Sequence, residues 1–264
     1  MSDWGATHSM SINAGLDQEM PGAKFMNEQN IEAAVKSGAV KESTVDESVV
    51  RILTPMFQVG VMDAPAGTWD WKKQASNSTS EASCASARSL AAKSTVLLKN
   101  DGGILPLPKS GKKFALLGLA SDNCVVHGGG SGSVVPSYIS TPLSGISDAV
   151  GAGSVTYNDG KDTSAAAAAA KAADVAIVFV ATLSHEGGDR ASLSLDDGGP
   201  ANNQNALVAA VAAAQPNTVV VVTTPGAILM PWSKSVKAIV TNFLPGQQAG
   251  NAIADVLFGA VNPG

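Results

Sequence analysis

The sequence predicts an α/β fold, a three-layer αβα sandwich built on a mainly parallel sheet. Short, continuously apolar segments such as VAIVFVA alternate with helical segments over most of the chain, and strands that are buried on both faces have this pattern. Hydrophobic residues make up 45% of the chain and charged residues 15%, which is typical of a globular protein with a sizeable core.

Residues 1–62 are predicted to form a separate helical region. Asn27 is placed to cap a helix through EQNIEAAVKS, which Gly38 would end. The spacing of Thr44 and Glu47 predicts a capping box at the start of a second helix, whose apolar residues repeat at helical intervals as one buried stripe. The stripe consists of Val45, Val49, Ile52, Leu53, Met56 and Phe57. We expect these helices to pack on something larger, because the region has no strand for their apolar faces.

Residues 63–83 are rich in Pro, Gly, Ser, Asn and charge, and are predicted to be a linker to a domain of residues 84–264. That domain is predicted to open with a helix through CASARSLAAKSTVLLKN, after which strands and helices alternate. The predicted strands are KFALLGLA, SVTYN, DVAIVFVA, NTVVVVTT and KAIVTNFL. The predicted helices between and after them are TPLSGISDAV, SAAAAAAKAA, NNQNALVAAVAAA and QQAGNAIADVLFG.

Two polar, glycine-rich loops that follow predicted strands are the candidate functional loops. They are residues 121–137, which contain HGGGSG, and residues 182–200, which contain HEGGDR. Ligands of open α/β sheets bind beyond the carboxyl ends of the strands. Both loops are also longer than the ~2 to 6 residues that a strand-to-helix connection needs.

Charge and composition exclude several classes of function. The net charge is −5 and Lys and Arg are not clustered, which argues against a nucleic-acid partner. The longest apolar stretches are shorter than the ~20 residues of a membrane span, and we interpret them as buried strands.

The two cysteines permit at most one disulfide, and the three histidines lack metal-ligand spacing, so no metal is expected. No secretory signal is recognisable.

The segment GGGSG is expected to contact substrate; it comprises Gly128, Gly129, Gly130, Ser131 and Gly132, and we call it the glycine loop. A nucleotide-binding reading is disfavoured, because the Lys and Ser/Thr of a P-loop are missing. An esterase would need a GxSxG nucleophile elbow, which the chain lacks. Alternatively, the segment has a purely structural role, as a turn whose glycines adopt positive φ.

The segment HEGGDR places Glu186, Asp189 and Arg190 within five residues, among glycines that permit sharp turns. A carboxylic acid on such a loop can reach into a cleft. The alternative is that the acids are solvated charges, with Arg190 paired to one of them. His185 and Glu186 match half of the zinc motif HExxH, but the second histidine is absent.

Near the start of the chain, SDWG places Asp3 beside Trp4. Aromatic planes bind the apolar faces of sugars, and charged acceptors bind their hydroxyls. Two carboxylates on separate segments suit glycoside hydrolysis, in which one attacks the anomeric carbon and the other protonates the leaving oxygen. The alternative is that Asp3 is a surface or helix-capping residue.

Several segments, in a fixed order, resemble the glycoside hydrolase family 3 β-glucosidases. SDWGATHS followed by AGLDQEMPG is similar to that family's nucleophile segment at the end of its (β/α)8 barrel. RSLAAKSTVLLKNDGGILPL resembles the start of its second domain, an αβα sandwich. Further similar segments are GGGSGSVVP, TPLSGI, EGGDRASLSL, NTVVVVTTPGAILMPW and FLPGQQAGNAIADVLFGAVNP.

The resemblance implies a retaining, exo-acting β-glucosidase with Asp3 as nucleophile and Glu186 as general acid/base. In retaining enzymes the two carboxyl groups lie about 5 to 5.5 Å apart. Trp4 would wall the glucose subsite, and the glycine loop, Asp189 and Arg190 would be further substrate contacts. The implied substrate is a β-glucoside or oligosaccharide, and no cofactor is implied.

A (β/α)8 barrel needs about 250 residues. The chain is therefore expected to be truncated, with residues 1–62 as the last part of the barrel, and to be inactive alone. The parent enzyme would be secreted. The alternative from another class of function is a non-catalytic α/β module that binds carbohydrate or another protein.

Overall fold

The computed structural model describes residues 1–65, 67–68 and 79–264. The chain divides into two compact units, residues 1–76 and 77–264, which we describe separately. Most of the predicted linker, residues 63–83, lies outside the described residues, so its boundaries stay a prediction. Within the part of the chain that is described, no helix is long and apolar enough to cross a membrane.

The first unit contains helices α1, Glu28–Lys36, and α2, Glu42–Gln58. The first predicted helix is confirmed, since the Asn27 side chain accepts a hydrogen bond from the Asn30 N–H at 2.9 Å. Gly38, with φ of +75°, then lets the chain turn away after the helix.

The predicted start of α2 and the buried stripe on it are wrong. The helix begins at Glu42, so Thr44 is already helical and cannot cap it. Val49 is 46% exposed and Phe57 52% exposed. The physical reason is that this unit has a small core built around Ile12, Met26 and Val40, and Val45 is the stripe residue that packs on it.

The second unit contains a six-stranded sheet in the order β1-β6-β5-β4-β2-β3, in which every pair is parallel except β1 with β6. Helices cover both faces, so the predicted αβα sandwich is confirmed. The strands are β1 Val96–Asn100, β2 Phe114–Leu117, β3 Val155–Asn158, β4 Val175–Ala181, β5 Thr218–Thr223 and β6 Ala238–Thr241. The helices are α3 Glu81–Lys93, α4 Pro142–Val150, α5 Thr163–Lys171, α6 Gln204–Ala214 and α7 Ala249–Leu257.

Strand β1 corrects the first predicted helix of this unit. That helix ends at Lys93, and the segment VLLKN forms an edge strand with Val96 opposite Thr241 and Asn100 opposite Ala238. A short apolar run next to a helix is ambiguous in sequence, and here pairing with β6 decides its conformation.

The core of the second unit lies in two layers, one on each face of the sheet. Successive residues of β4 alternate between them, because side chains of a strand point to opposite faces. Ile177 packs in the layer beneath α4 and α7, whereas Val178 packs in the layer beneath α5 and α6. All seven residues of β4 are buried, which is why the strand is continuously apolar in sequence.

Cys124 is expected to react slowly with thiol reagents in the folded chain. Both cysteines are free, and burial, with a smaller contribution from Asp122, raises the pKa of the Cys124 thiol to about 11. About one thiol in a thousand is then ionised at pH 8, and the thiolate is the nucleophile. Labelling of the single-cysteine variants Cys84→Ala and Cys124→Ala with a disulfide reagent should show slow modification of Cys124 that becomes fast in denaturant. Fast labelling of Cys124 without denaturant would contradict the prediction.

Candidate active site

The two candidate loops meet at the edge of the sheet where β2 and β4 end. These strands are parallel neighbours, and the chain leaves β2 towards β3 on one side and β4 towards β5 on the other. The crevice beyond such a pair is the usual ligand site of an open α/β sheet. A backbone bridge joins Gly129 of the first loop to His185 of the second.

Gly129 and Gly130 of the glycine loop approach the second loop closely. The Gly129 N–H donates to the Ser184 carbonyl at 3.1 Å, and the Glu186 N–H donates back to the Gly129 carbonyl at 3.4 Å. A Cβ on Gly129 would overlap the His185 ring, and one on Gly130, whose φ is +74°, would overlap the Glu186 Cβ. Glycine is therefore favoured at Gly130 by both its φ and its contact with the second loop, whereas a side chain at Gly129 would displace the His185 ring.

Glu186 is held through one of its two carboxylate oxygens. Oε2 accepts hydrogen bonds from the Ser131 hydroxyl at 2.5 Å and from the Ser131 N–H at 2.7 Å. The hydroxyl first, and then the N–H, hold the pKa of Glu186 below its ordinary value, because both favour the charged form. Glu186 is exposed, so its carboxylate is open to solvent and to a ligand.

Asp189 and Arg190 differ sharply in exposure. The Asp189 side chain is 79% exposed, whereas that of Arg190 is 6% exposed. The Arg190 Nη2 donates to the Ala227 carbonyl at 3.0 Å, in the loop after β5, and its Nε lies 3.7 Å from Asp189 Oδ1. Arg190 thus ties the loop that carries Glu186 to the loop after β5.

Gln204, which is not among the site residues predicted from the sequence, fixes the base of the same loop. Its Oε1 accepts from the Ala181 N–H at 2.8 Å, and its Nε2 donates to the carbonyls of Ala181 and Leu195 at 2.9 and 2.8 Å. Gln204 is 3% exposed, and a buried amide must satisfy its polar atoms. An amide on the apolar side of a predicted helix was the signal available in the sequence.

The first unit holds the other two predicted site residues, Asp3 and Trp4, in a segment that is not frayed. The Ser2 N–H donates to the Gln18 carbonyl at 2.9 Å, and the Gly5 N–H donates to the Met20 carbonyl at 3.1 Å. Asp3 is exposed, and its Oδ1 accepts from the Trp4 N–H at 2.7 Å. Trp4 is 74% exposed, so its ring can pack against a ligand.

Charged side chains stiffen the segment to which Ser2 and Gly5 are bonded. Asp17 forms a bidentate pair with Arg51, with Oδ1 2.8 Å from Nη2, and this hydrogen bonding holds the pKa of Asp17 below its ordinary value. The Glu19 carboxylate accepts from the N–H groups of Phe25 and Met26 at 2.9 and 2.8 Å. The backbone next to Asp3 is thus anchored to fixed neighbours.

The structure brings together those predicted site residues that lie in the second unit. The glycine loop, Glu186 and Arg190 belong to one arrangement in the second unit, and Asp3 and Trp4 belong to the first unit. Among the described residues, no group of three or more His, Cys, Asp and Glu side chains could hold a metal ion.

A sequence model of the glycosyl hydrolase family 3 C-terminal domain matches residues 95–264. The chain belongs to glycoside hydrolase family 3. The thermostable β-glucosidase B of Acetivibrio thermocellus is 37% identical to this family 3 chain over 279 aligned positions, which cover all of the chain and 35% of that protein. A probable β-glucosidase L of Neosartorya fischeri is also 37% identical and is covered over 40% of its length.

Solved family 3 structures have the same fold. β-Glucosidase D2-BGL of Chaetomella raphigera matches 99% of this family 3 chain with a TM-score of 0.80 and 34% identity, over 41% of its own length. DesR, a β-glucosidase of Streptomyces venezuelae solved with D-glucose, matches 99% of the chain with a TM-score of 0.82 and 26% identity, over 48% of its length. The chain therefore spans about half or less of each of these relatives.

Proposed function

We propose that this chain carries the two catalytic carboxylates of a retaining, exo-acting β-glucosidase. The observation that supports this most strongly is the position of Glu186 on the loop that follows β4, next to the end of β2, with one carboxylate oxygen bonded to Ser131. The chain is also similar over its whole length to enzymes named β-glucosidases.

The proposed reaction has two steps, and each needs both carboxylates. Asp3 attacks the anomeric carbon of the terminal glucosyl residue while Glu186 gives its proton to the departing aglycone oxygen. Glu186, now a carboxylate, then takes a proton from water as that water displaces Asp3 from the sugar. Trp4 packs on the apolar face of the glucose, and the glycine loop, Asp189 and Arg190 shape the rest of the site. The reaction requires no cofactor.

The substrate class in this proposal is a β-glucoside or β-linked oligosaccharide. One structural neighbour was solved in complex with D-glucose, and its own name is β-glucosidase. We expect little turnover by the 264 residues alone, because they cover only 35–40% of the length of the β-glucosidases to which they are similar. Turnover of an aryl β-glucoside by the purified chain that is lost in Asp3→Asn would contradict this expectation.

The nucleophile assignment is tested in a chimera in which these 264 residues replace the matching 35% of the Acetivibrio thermocellus enzyme. A 2-fluoro-glucoside with a good leaving group should trap the glycosyl-enzyme, and mass spectrometry should find the sugar on the peptide that contains Asp3. Asp3→Asn should abolish the adduct and reduce hydrolysis by orders of magnitude. Asp46→Asn, the same change at an exposed position of α2, is the matched control and should retain both. Labelling of another residue would overturn the assignment. An inactive chimera whose chain binds glucosides would instead favour the non-catalytic module.

A further inference from the structure

The two oxygens of Glu186 have different surroundings. Oε2 accepts two hydrogen bonds from Ser131, whereas Oε1 has no hydrogen-bond partner among the described residues. A ligand can therefore reach Oε1 without displacing a hydrogen bond to Ser131, whereas Oε2 is already bonded to both the hydroxyl and the N–H of Ser131.

The position of Ser131 is determined by backbone contacts and does not depend on one side-chain rotamer. Gly129 pairs with Ser184 and Glu186 through two backbone hydrogen bonds, and Gly130 packs directly against the Glu186 Cβ. Ser131 is the next residue, and its own N–H is one of the two donors to Oε2. The loop backbone thus sets the position from which Ser131 binds Glu186.

We infer that Ser131 is the positioning residue of the acid/base: it holds Oε2, so that Oε1 is the oxygen that gives its proton to the aglycone and later accepts one from water. This inference rests on the proposed function of Glu186. It separates the two oxygens of one carboxylate into a fixed oxygen and a reacting oxygen, and it gives the glycine loop a role in the chemistry beyond contact with substrate.

The same geometry predicts a direction for the titration of Glu186. Ser131 stabilises the carboxylate, so loss of its hydroxyl should raise the pKa of Glu186. None of the titratable and charged groups on the two loops forms an ion pair with Glu186 in the described structure; they are Asp122, Cys124, His127, His185, Asp189, the buried Arg190, Asp196 and Asp197. The shift should therefore depend on Ser131.

The test is a carboxyl-carbon NMR titration of Glu186 in the 264-residue chain, with the resonance assigned by its loss in Glu186→Gln. An unperturbed glutamate has a pKa of about 4.3, and the midpoint of Glu186 should lie below that value. Ser131→Ala should move it upward, and Ser131→Thr, which keeps the hydroxyl, should restore it. Ser133→Ala removes a nearby hydroxyl that has no hydrogen bond to Glu186 in the described structure, and should leave the midpoint unchanged. Gly130→Ala should raise it, because the new Cβ would push Glu186 away from Ser131.

A Ser131→Ala titration that superimposes on that of the wild type would overturn the inference, as would a shift in Ser131→Thr as large as that in Ser131→Ala. In an active chimera, Ser131→Ala should also move the alkaline limb of kcat/KM to higher pH, since that limb reports the acid of the free enzyme. An unmoved limb would count against the inference. The NMR experiment needs no turnover, so it separates the inference from the proposed function, whose own failure would appear as full activity in Glu186→Gln.

Discussion

Glu186→Gln in the chimera is expected to lower kcat/KM for a β-linked disaccharide by about 10²- to 10⁴-fold, the usual contribution of a general acid. The sugar leaving group is a poor one and depends on protonation, and a glutamine cannot supply the proton. The acidic phenol of an activated aryl glucoside can leave without protonation, so formation of the glycosyl-enzyme from that substrate should be much less affected. The expected result is a large difference between the two substrates in steady-state assays.

Azide provides the second half of this test, because it attacks the glycosyl-enzyme without a general base. Added azide should restore turnover of the activated aryl glucoside by Glu186→Gln and yield β-glucosyl azide, which chromatography detects. Glu81→Gln, the same change at an exposed position in the first turn of α3, is the matched control in the same unit and should behave as wild type. Equal losses on both substrates, with no azide product, would argue that Glu186 is not the acid/base.

Gly250→Ala is expected to destabilise the second unit by about 1–3 kcal/mol, the usual cost of extra atoms in a packed interior. Helices α4 and α7 cross where Gly145 and Gly250 face each other, and the Gly250 N–H donates to the Ser140 carbonyl at 2.7 Å. A Cβ on Gly250 would overlap the Thr141 carbonyl. Backbone atoms cannot rotate away as a side chain can, so the helices must separate.

Thermal unfolding measures this prediction. A loss of that size lowers the Tm of a domain of 150–250 residues by about 2–12 °C. Gly153→Ala is the matched control: the same atoms are added, but a Cβ there meets nothing within 4 Å, so the change in stability should stay within about 0.5 kcal/mol. Equal Tm values for the two variants would show that the helix crossing tolerates a side chain.

Much of the sandwich could be predicted from local pattern. Strands such as β4 and β5 are buried on both faces, so every position is apolar or Thr and the run is visible without a structure. The predicted secondary structure is wrong where the local pattern favours one conformation and tertiary contacts favour another. VLLKN follows a helix directly and becomes a strand because β6 offers an edge to pair with, and α2 begins before its predicted capping box.

The sequence by itself determined the family and the alternation of strands and helices, and it indicated Glu186 and the glycine loop as candidates, because these depend on short-range patterns and on motifs in a fixed order. The tertiary structure decided that Ser131 binds one oxygen of Glu186, although the two residues are 55 positions apart. It also decided that Arg190 is buried on the Ala227 carbonyl while Asp189 faces solvent. The physical reason is that a hydrogen bond tolerates a change of only a few tenths of an ångström in the distance between its donor and acceptor, and only the strand order of the sheet brings these groups together.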